Sequence, residues 1–319
     1  MVKCLTRSDG RGRFAPVAAR NRKNKLGVLL LLLAVHAQAA QNATHITIAG
    51  RDVAIWRPAG TAPEAGYPLI LFSHGFGGCN TQSVFLMEAF AQAGYLVLAP
   101  NHKDAGCGKD GADSKGWYPG KFAGHRPEEP FGQDSKWSDA TYKDRAADME
   151  AVLNAVLGEK SFQEIAVDPE RIGVAGHSLG GYTVLGLAGA WPSWKDHRIR
   201  AVLALSPYCT PYISKGDLRH LDVPIMYQGG NRDLGISPTV RRSDGAYDRS
   251  SAPKYYVEFD GAGHFAWTNL QKKYQDLIDT YSVAFFDRYL KDKANPDRLS
   301  RLTGRPSPQG VSYLKAQAK

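Results

Sequence analysis

Residues Arg171-Ile172-Gly173-Val174-Ala175-Gly176-His177-Ser178-Leu179-Gly180-Gly181-Tyr182 decide how the rest of this chain is read. They spell a short apolar strand, a very tight turn and the start of a helix. The turn is Gly176-x-Ser178-x-Gly180, in which the flanking glycines let the backbone bend sharply and keep Cβ atoms out of the way. The serine is thereby pushed out of the turn, its Oγ presented above the end of a sheet. Gly181 leaves a second gap, so that the helix can pack closely on the strand. A bare G-x-S-x-G arises often by chance. Here its context is right: a β-branched, apolar run over 172–175 precedes it and a helix-compatible run over 182–190 follows.

Working outward, the chain alternates strands with helices. Residues 44–49 and 52–56 alternate in the strand manner around Gly50-Arg51 and read as an opening hairpin. The continuous apolar runs 68–72 and 95–99 are strands of the kind buried on both faces. Helical periodicity covers 84–93, stopped by Gly94, and 141–157, with Ala146, Met149, Val152, Leu153 and Val156 as its apolar stripe. Val167-Asp168-Pro169-Glu170 reads as a turn into the nucleophile strand. Strands follow at 199–206, 224–228 and 255–259, then an amphipathic helix over roughly 270–290 and a polar tail. Such alternation predicts one domain, residues 40–319, built on a mostly parallel sheet with helices on both faces. The stretch 101–140 is different: rich in Gly, Asp and Lys, with Trp117, Tyr118, Phe122, Phe131 and Trp137 scattered through it. A loop insertion of that length is usually functional or flexible. Its aromatic residues either line a groove or pin the loop down.

The formal charge of +9 on 319 residues invites a nucleic-acid reading, so its location matters. Residues 1–39 carry eight basic residues against Asp9 alone. The remainder has 32 basic and 30 acidic residues, which gives no case for a polyanionic partner. The basic region ends at Lys25, residues 26–35 are almost wholly apolar, and Ala37-Gln38-Ala39 is a small-x-small cleavage site. Residues 1–39 are therefore expected to be a signal peptide, cleaved near Ala39, with the mature protein secreted or periplasmic. The apolar run is too short for a comfortable bilayer span, so no stable membrane span remains after cleavage. A monomer is expected. Of four cysteines, Cys4 leaves with the signal. Cys79 and Cys107 each follow a strand end and are expected to pair as a disulfide above the sheet, leaving Cys209 as a buried free thiol. Asn42-Ala43-Thr44 is a glycosylation sequon.

Ser178 needs a base, because a serine hydroxyl is a poor nucleophile unless its proton is taken as it attacks. The base should be a histidine oriented by a carboxylate. In parallel sheets the site lies at the carboxyl ends of the strands. The strand 224–228 runs into Gly229-Gly230-Asn231-Arg232-Asp233, and the strand 255–259 into Asp260-Gly261-Ala262-Gly263-His264. The triad is thus read as Ser178, Asp233 and His264. Asp260 is a rival acid, although a strand's last residue suits a turn former. The oxyanion donors are expected to be the amides of Phe76, in the glycine-rich His74-Gly75-Phe76-Gly77-Gly78, and of Leu179. His177 is expected to point away from the nucleophile, and His74 to brace the oxyanion loop. His102 is a candidate to line the site, and His45 and His125 belong to the surface. Asp110-Gly111-Ala112-Asp113-Ser114 lacks the third acidic position and distal glutamate of a calcium loop. No metal and no cofactor are expected.

With these motifs in hand, the chain resembles the α/β-hydrolase superfamily over roughly residues 46–290. It is most similar to secreted bacterial hydrolases related to dienelactone hydrolases and plasma-type platelet-activating factor acetylhydrolases. Cutinase-type polyester hydrolases share the layout. The resemblance implies the α/β-hydrolase fold and a serine esterase acting through an acyl-enzyme on a small-molecule, lipid or polymeric ester. Dienelactone hydrolases proper carry cysteine where this chain has Ser178, so lactone opening does not carry over. Two other readings stand beside this one: a polyester hydrolase or lipid acetylhydrolase within the same class, and a catalytically silent binding protein on the same fold.

Overall fold

The computed structural model describes residues 43–106, 126–158, 162–291, 302–303 and 309–318. All belong to the unit Gln38–Lys319. Nine strands form one sheet in the order β1-β2-β4-β3-β5-β6-β7-β8-β9. They are β1 (Thr44–Ile48), β2 (Arg51–Trp56), β3 (Tyr67–Ser73), β4 (Leu96–Pro100), β5 (Val167–His177), β6 (Ile199–Leu205), β7 (Ile225–Gly230), β8 (Lys254–Phe259) and β9 (Val311–Gln317). The pairs from β4 through β8 are parallel; β1–β2, β2–β4 and β8–β9 are antiparallel. The helices are α1 (Val84–Gln92), α2 (Lys143–Gly158), α3 (Leu179–Leu185), the short α4 (Thr210–Ser214), α5 (Ser237–Arg241) and α6 (Ala246–Arg249), and α7 (Gln275–Leu290). This is the α/β-hydrolase fold.

The strand's period of two divides the core into two layers. Leu69, Leu71, Leu96, Leu98 and Val174 face one side, where α2 supplies Met149, Val152, Leu153 and Val156. Ile70, Phe72, Val97, Ala99 and Ala175 face the other, where α1 supplies Leu86, Met87 and Phe90 and α7 supplies Ile278, Tyr281, Phe285 and Phe286. Both faces are covered, which explains why the central strands read as unbroken apolar runs.

Three details depart from the sequence reading. The turn expected over 167–170 lies inside β5: Tyr67 pairs with Val167 but Leu69 with Ile172, so the intervening residues bulge from the ladder. Asp168 holds the bulge by accepting from the Glu170 amide and pairing with Arg171. The last helix begins at Gln275 rather than near 270, because the residues before it form two short 3₁₀ turns, His264–Trp267 and Lys272–Tyr274. The polar tail contains a strand, β9, laid antiparallel on β8, with Tyr313 against Tyr256. No helix among the described residues is long and apolar enough to cross a membrane.

Candidate active site

At the end of β5 the chain turns through Ser178, whose φ of 55° lies in the left-handed region that side chains rarely adopt. The turn holds because its neighbours leave no alternative. A Cβ on Gly176 would lie 2.2 Å from the Gly180 carbonyl oxygen, and one on Gly180 would lie 1.9 Å from that of Ser73. The Ser178 amide donates to Leu205 at the end of β6, and the Tyr208 amide donates to the Ser178 carbonyl. Strain at one residue is thus held by hydrogen bonds from the adjacent strand.

The structure brings the three expected side chains together. His264 Nε2 lies 2.9 Å from Ser178 Oγ, and His264 Nδ1 lies 3.3 Å from Asp233 Oδ2. Asp233 is buried, while the His264 side chain is 28% exposed and so open to the cleft. Asp260 is exposed and accepts from Asn231. A fourth group sits among them. Ser206, fully buried at the end of β6, has its Oγ 2.9 Å from His264 Nδ1 and donates to Asp233 Oδ2. Ser206 closes the strand expected over 199–206, and its place at a carboxyl end is the same signal that locates Asp233 and His264.

The His264 turn is pinned from behind. Trp267 donates to Gln228 of β7, and Ser83 donates to the Trp267 carbonyl. His177 is buried, and its Nε2 lies 2.8 Å from the His264 carbonyl oxygen. Its Nδ1 meets Gln82 Nε2 at 2.9 Å, and Gln82 Oε1 accepts from the Gly75 amide. These partners require a neutral ring with the proton on Nε2. Burial, reinforced by the nearby His264, holds the His177 pKa well below the ordinary value. One chain of side chains therefore ties the base's turn to the loop expected to carry the oxyanion donor.

That loop is braced by a buried charge the sequence reading missed. Arg145 of α2 is fully buried and donates to the carbonyls of His74 and Gly75 and to both oxygens of Asp104. Asp104 in turn accepts from the Gly77 amide. Burial alone would raise the Asp104 pKa, but Arg145 and these hydrogen bonds hold it at about 2. His74 accepts from the His102 amide and donates to Gly75, which bears out its bracing part; burial and Arg145 lower it to about 4. His102 does not line the site. It is buried behind the loop, between Ser73 Oγ at 2.9 Å and Asp148 Oδ2 at 3.0 Å. Arg145 was legible in principle, since 145, 149, 152 and 156 share one helical face. A charged residue in that register needs a buried partner.

A cleft of about 760 Å³ opens over Ser178. Phe76, Phe131, Tyr208, Ile236 and Phe265 give it apolar walls, with Asp134 bound to the Tyr208 hydroxyl at one side. The aromatic residues of the insertion divide their work. Phe131 lines the cleft and is 42% exposed, whereas Trp137 is buried, donates to Pro130 and packs on Tyr142, Tyr182 and Tyr208. Trp117, Tyr118, Phe122, His125 and the sequence 110–114 lie outside the described residues, as do the leader and Asn42 of the sequon. Cys79 is disulfide-bonded; its expected partner Cys107 is likewise outside them. Cys209 is free and buried, and burial pushes its thiol up to about 11. Among the described residues, no His, Cys, Asp and Glu cluster is arranged to hold a metal.

Residues 132–312, more than half of the chain, match the PET hydrolase-like family. The chain belongs to that family. As a PET hydrolase-like protein it also matches, over residues 27–109, the family of platelet-activating factor acetylhydrolase, isoform II. Among curated proteins it is similar to Cutinase 1 of Thermobifida cellulosilytica, 32% identical over 149 residues that cover 46% of this chain and 52% of that one. Cutinase est1 of Thermobifida alba is 28% identical over 229 residues, 71% of this chain and 62% of that protein. Platelet-activating factor acetylhydrolase of Gallus gallus is 28% identical over 181 residues, 47% and 40% of the two chains. The PET hydrolase-like chain thus spans about half the length of the curated relatives it matches.

Proposed function

We propose that this protein is a secreted serine hydrolase that cleaves carboxylic esters through an acyl-enzyme. The observation that carries the reading is the 2.9 Å contact between Ser178 Oγ and His264 Nε2 at the floor of an apolar cleft, with Asp233 behind the ring. Ser178 Oγ attacks the ester carbonyl and His264 Nε2 takes its proton. Asp233 fixes the tautomer and balances the imidazolium. The proton then passes to the leaving alcohol, and water releases the acyl group by the same route. The amides of Phe76 and Leu179 hold the oxyanion. A planar trans peptide supports this for Phe76: the Gly75 carbonyl is drawn toward buried Arg145, so the Phe76 N–H on the same peptide points the opposite way. Leu179 is the first residue of α3, directly after the nucleophile. Each such donor is worth about 3 kcal/mol to the transition state.

Within this class, the aromatic walls and the likeness to cutinases over 71% of the chain favour a polyester substrate over a lipid acetyl ester. The silent binding protein fares worse, since such a protein has no need of a base in contact with its serine. The basic and apolar leader over 1–39 supports export; N-terminal sequencing of the exported protein checks cleavage near Ala39. The central test is Ser178→Ala, which should remove nearly all turnover of short p-nitrophenyl esters and all labelling by a serine-reactive phosphonate, with folding intact. Undiminished turnover in that variant sinks the assignment. A panel of esters of graded acyl and alcohol length, with a polyester film, then separates the substrate classes.

A further inference from the structure

We infer that Ser206 is a positioning residue of the triad: its hydroxyl, lodged between Asp233 and His264, sets the base's orientation and stabilises the charge it acquires. The inference rests on the role proposed above for Ser178 and His264. Its ground is a three-way juxtaposition. Ser206 Oγ is 2.9 Å from His264 Nδ1, closer than the 3.3 Å from that nitrogen to Asp233 Oδ2, and it donates its own proton to that same carboxylate oxygen. With Nε2 turned to Ser178, the ring proton must sit on Nδ1. It is therefore shared between a hydroxyl oxygen and a carboxylate, and the hydroxyl has the shorter contact.

The backbone around Ser206 is arranged to keep the hydroxyl there. Ser206 has a φ of 42° and precedes Pro207, an uncomfortable place for any residue except glycine. Its amide donates to Gln228 of β7, while Leu205 before it accepts from Ser178 and Tyr208 after it donates to Ser178. One short segment at the end of β6 thus touches nucleophile, base and acid together. Ser206 is fully buried and does not line the cleft, so it acts through His264 and not on the substrate. The other titratable groups facing His264 are Asp233 after β7 and His177 at the end of β5, whose ring centroid lies 4.9 Å away, with Asp134 and Tyr208 across the cleft.

The test compares wild type, Ser206→Ala, Ser206→Gly and Ser178→Ala on a soluble p-nitrophenyl ester from pH 5 to 9. Removing one hydrogen bond to a charged group should lower kcat about tenfold to a hundredfold in both Ser206 variants, with KM little changed. Because the lost acceptor favoured the imidazolium, the acid limb of kcat/KM should move to lower pH by about one unit. The glycine variant is the control for backbone strain. It removes the hydroxyl while relieving the positive φ, so it folds even where the alanine variant does not. If strain alone were at issue, it would match or exceed wild type. Retention of kcat within about twofold in folded Ser206→Gly, or loss with an unmoved acid limb, overturns the inference. An active Ser178→Ala would instead condemn the underlying nucleophile assignment, so the two failures are told apart.

Discussion

At the scale of single residues, the site's chemistry depends on which carboxylate stands behind His264. Asp233 and Asp260 both lie after predicted strands, yet only Asp233 is buried against the ring, and Asp260 spends its Oδ1 on Asn231. Asp233→Asn should therefore lower kcat on the order of a thousandfold or more, since an amide there favours the wrong tautomer. Asp260→Asn should change it by no more than about twofold, as expected of an exposed turn residue. A larger loss from Asp260 in steady-state assays of the two variants would reverse the assignment. Arg145 belongs to this scale as well. One buried guanidinium holds two carbonyls of the loop before Phe76, and its cost of burial is offset by the Asp104 carboxylate.

At the scale of elements, the unit that matters is β5, the turn and α3. Its glycines are required by close approach, which makes them testable one by one. A Cβ at Gly180 would lie 1.9 Å from the Ser73 carbonyl oxygen, backbone that cannot step aside without moving the loop that follows β3. Gly180→Ala should cost about 1–3 kcal/mol of stability and misplace the oxyanion loop, lowering both the denaturation midpoint and kcat. Gly263→Ala, beside His264, meets nothing within 4 Å and should shift stability by no more than about 0.5 kcal/mol. Equal denaturation midpoints for the two variants would contradict this account of the turn. The element ends show the opposite case, where local signals are weak. The N-terminus of α1 is capped by Asn269, whose Oδ1 accepts from the Val84 amide across 185 residues of sequence. The residues expected to open α7 are used there instead.

At the scale of the whole molecule, three fully buried histidines make the fold sensitive to acid. Burial, reinforced by repulsion from Arg145, lowers His74 from 6.5 to about 4, and burial holds His102 and His177 well below the ordinary value. Each is neutral when folded and takes up a proton readily when unfolded. Their contribution to stability is therefore complete above about pH 6.5 and is lost as pH falls toward the folded value, about 3 kcal/mol for His74 alone. Asp279 of α7 runs the other way: burial, with Asp276 and Glu88 nearby, raises it to about 8, so its ionisation opposes folding as pH rises from 4 to 8. The histidine effect is read most cleanly in an Asp279→Asn background. There the guanidinium midpoint should fall steeply from pH 7.5 to pH 5, and more steeply than in wild type. A midpoint that is flat over that range excludes the linkage.

The elbow, the alternation of strands and helices, and the meeting of Ser178, Asp233 and His264 were legible in the sequence because each rests on a local rule. Apolar runs mark strands buried on both faces, glycines flank the serine, and Asp233 and His264 fall just past strand ends. The strand β9 was not legible, because Val311–Gln317 is a half-exposed edge whose alternation is faint until β8 lies beside it. His102, a candidate to line the cleft, lies behind the loop 74–78 for a related reason: a strand's carboxyl end says which end of the sheet a residue occupies, not which side of that loop. The buried Arg145–Asp104 brace, the Gln82–His177 link and the Ser206 hydroxyl all join residues far apart in the chain. Hydrogen bonds of that kind carry no sequence period, so only the tertiary structure could decide them. What the sequence determined by itself was the Gly176-x-Ser178-x-Gly180 turn and the frame that presents its serine. What folding alone decided was how His264, Asp233 and the loop 74–78 are held at a fixed distance from it.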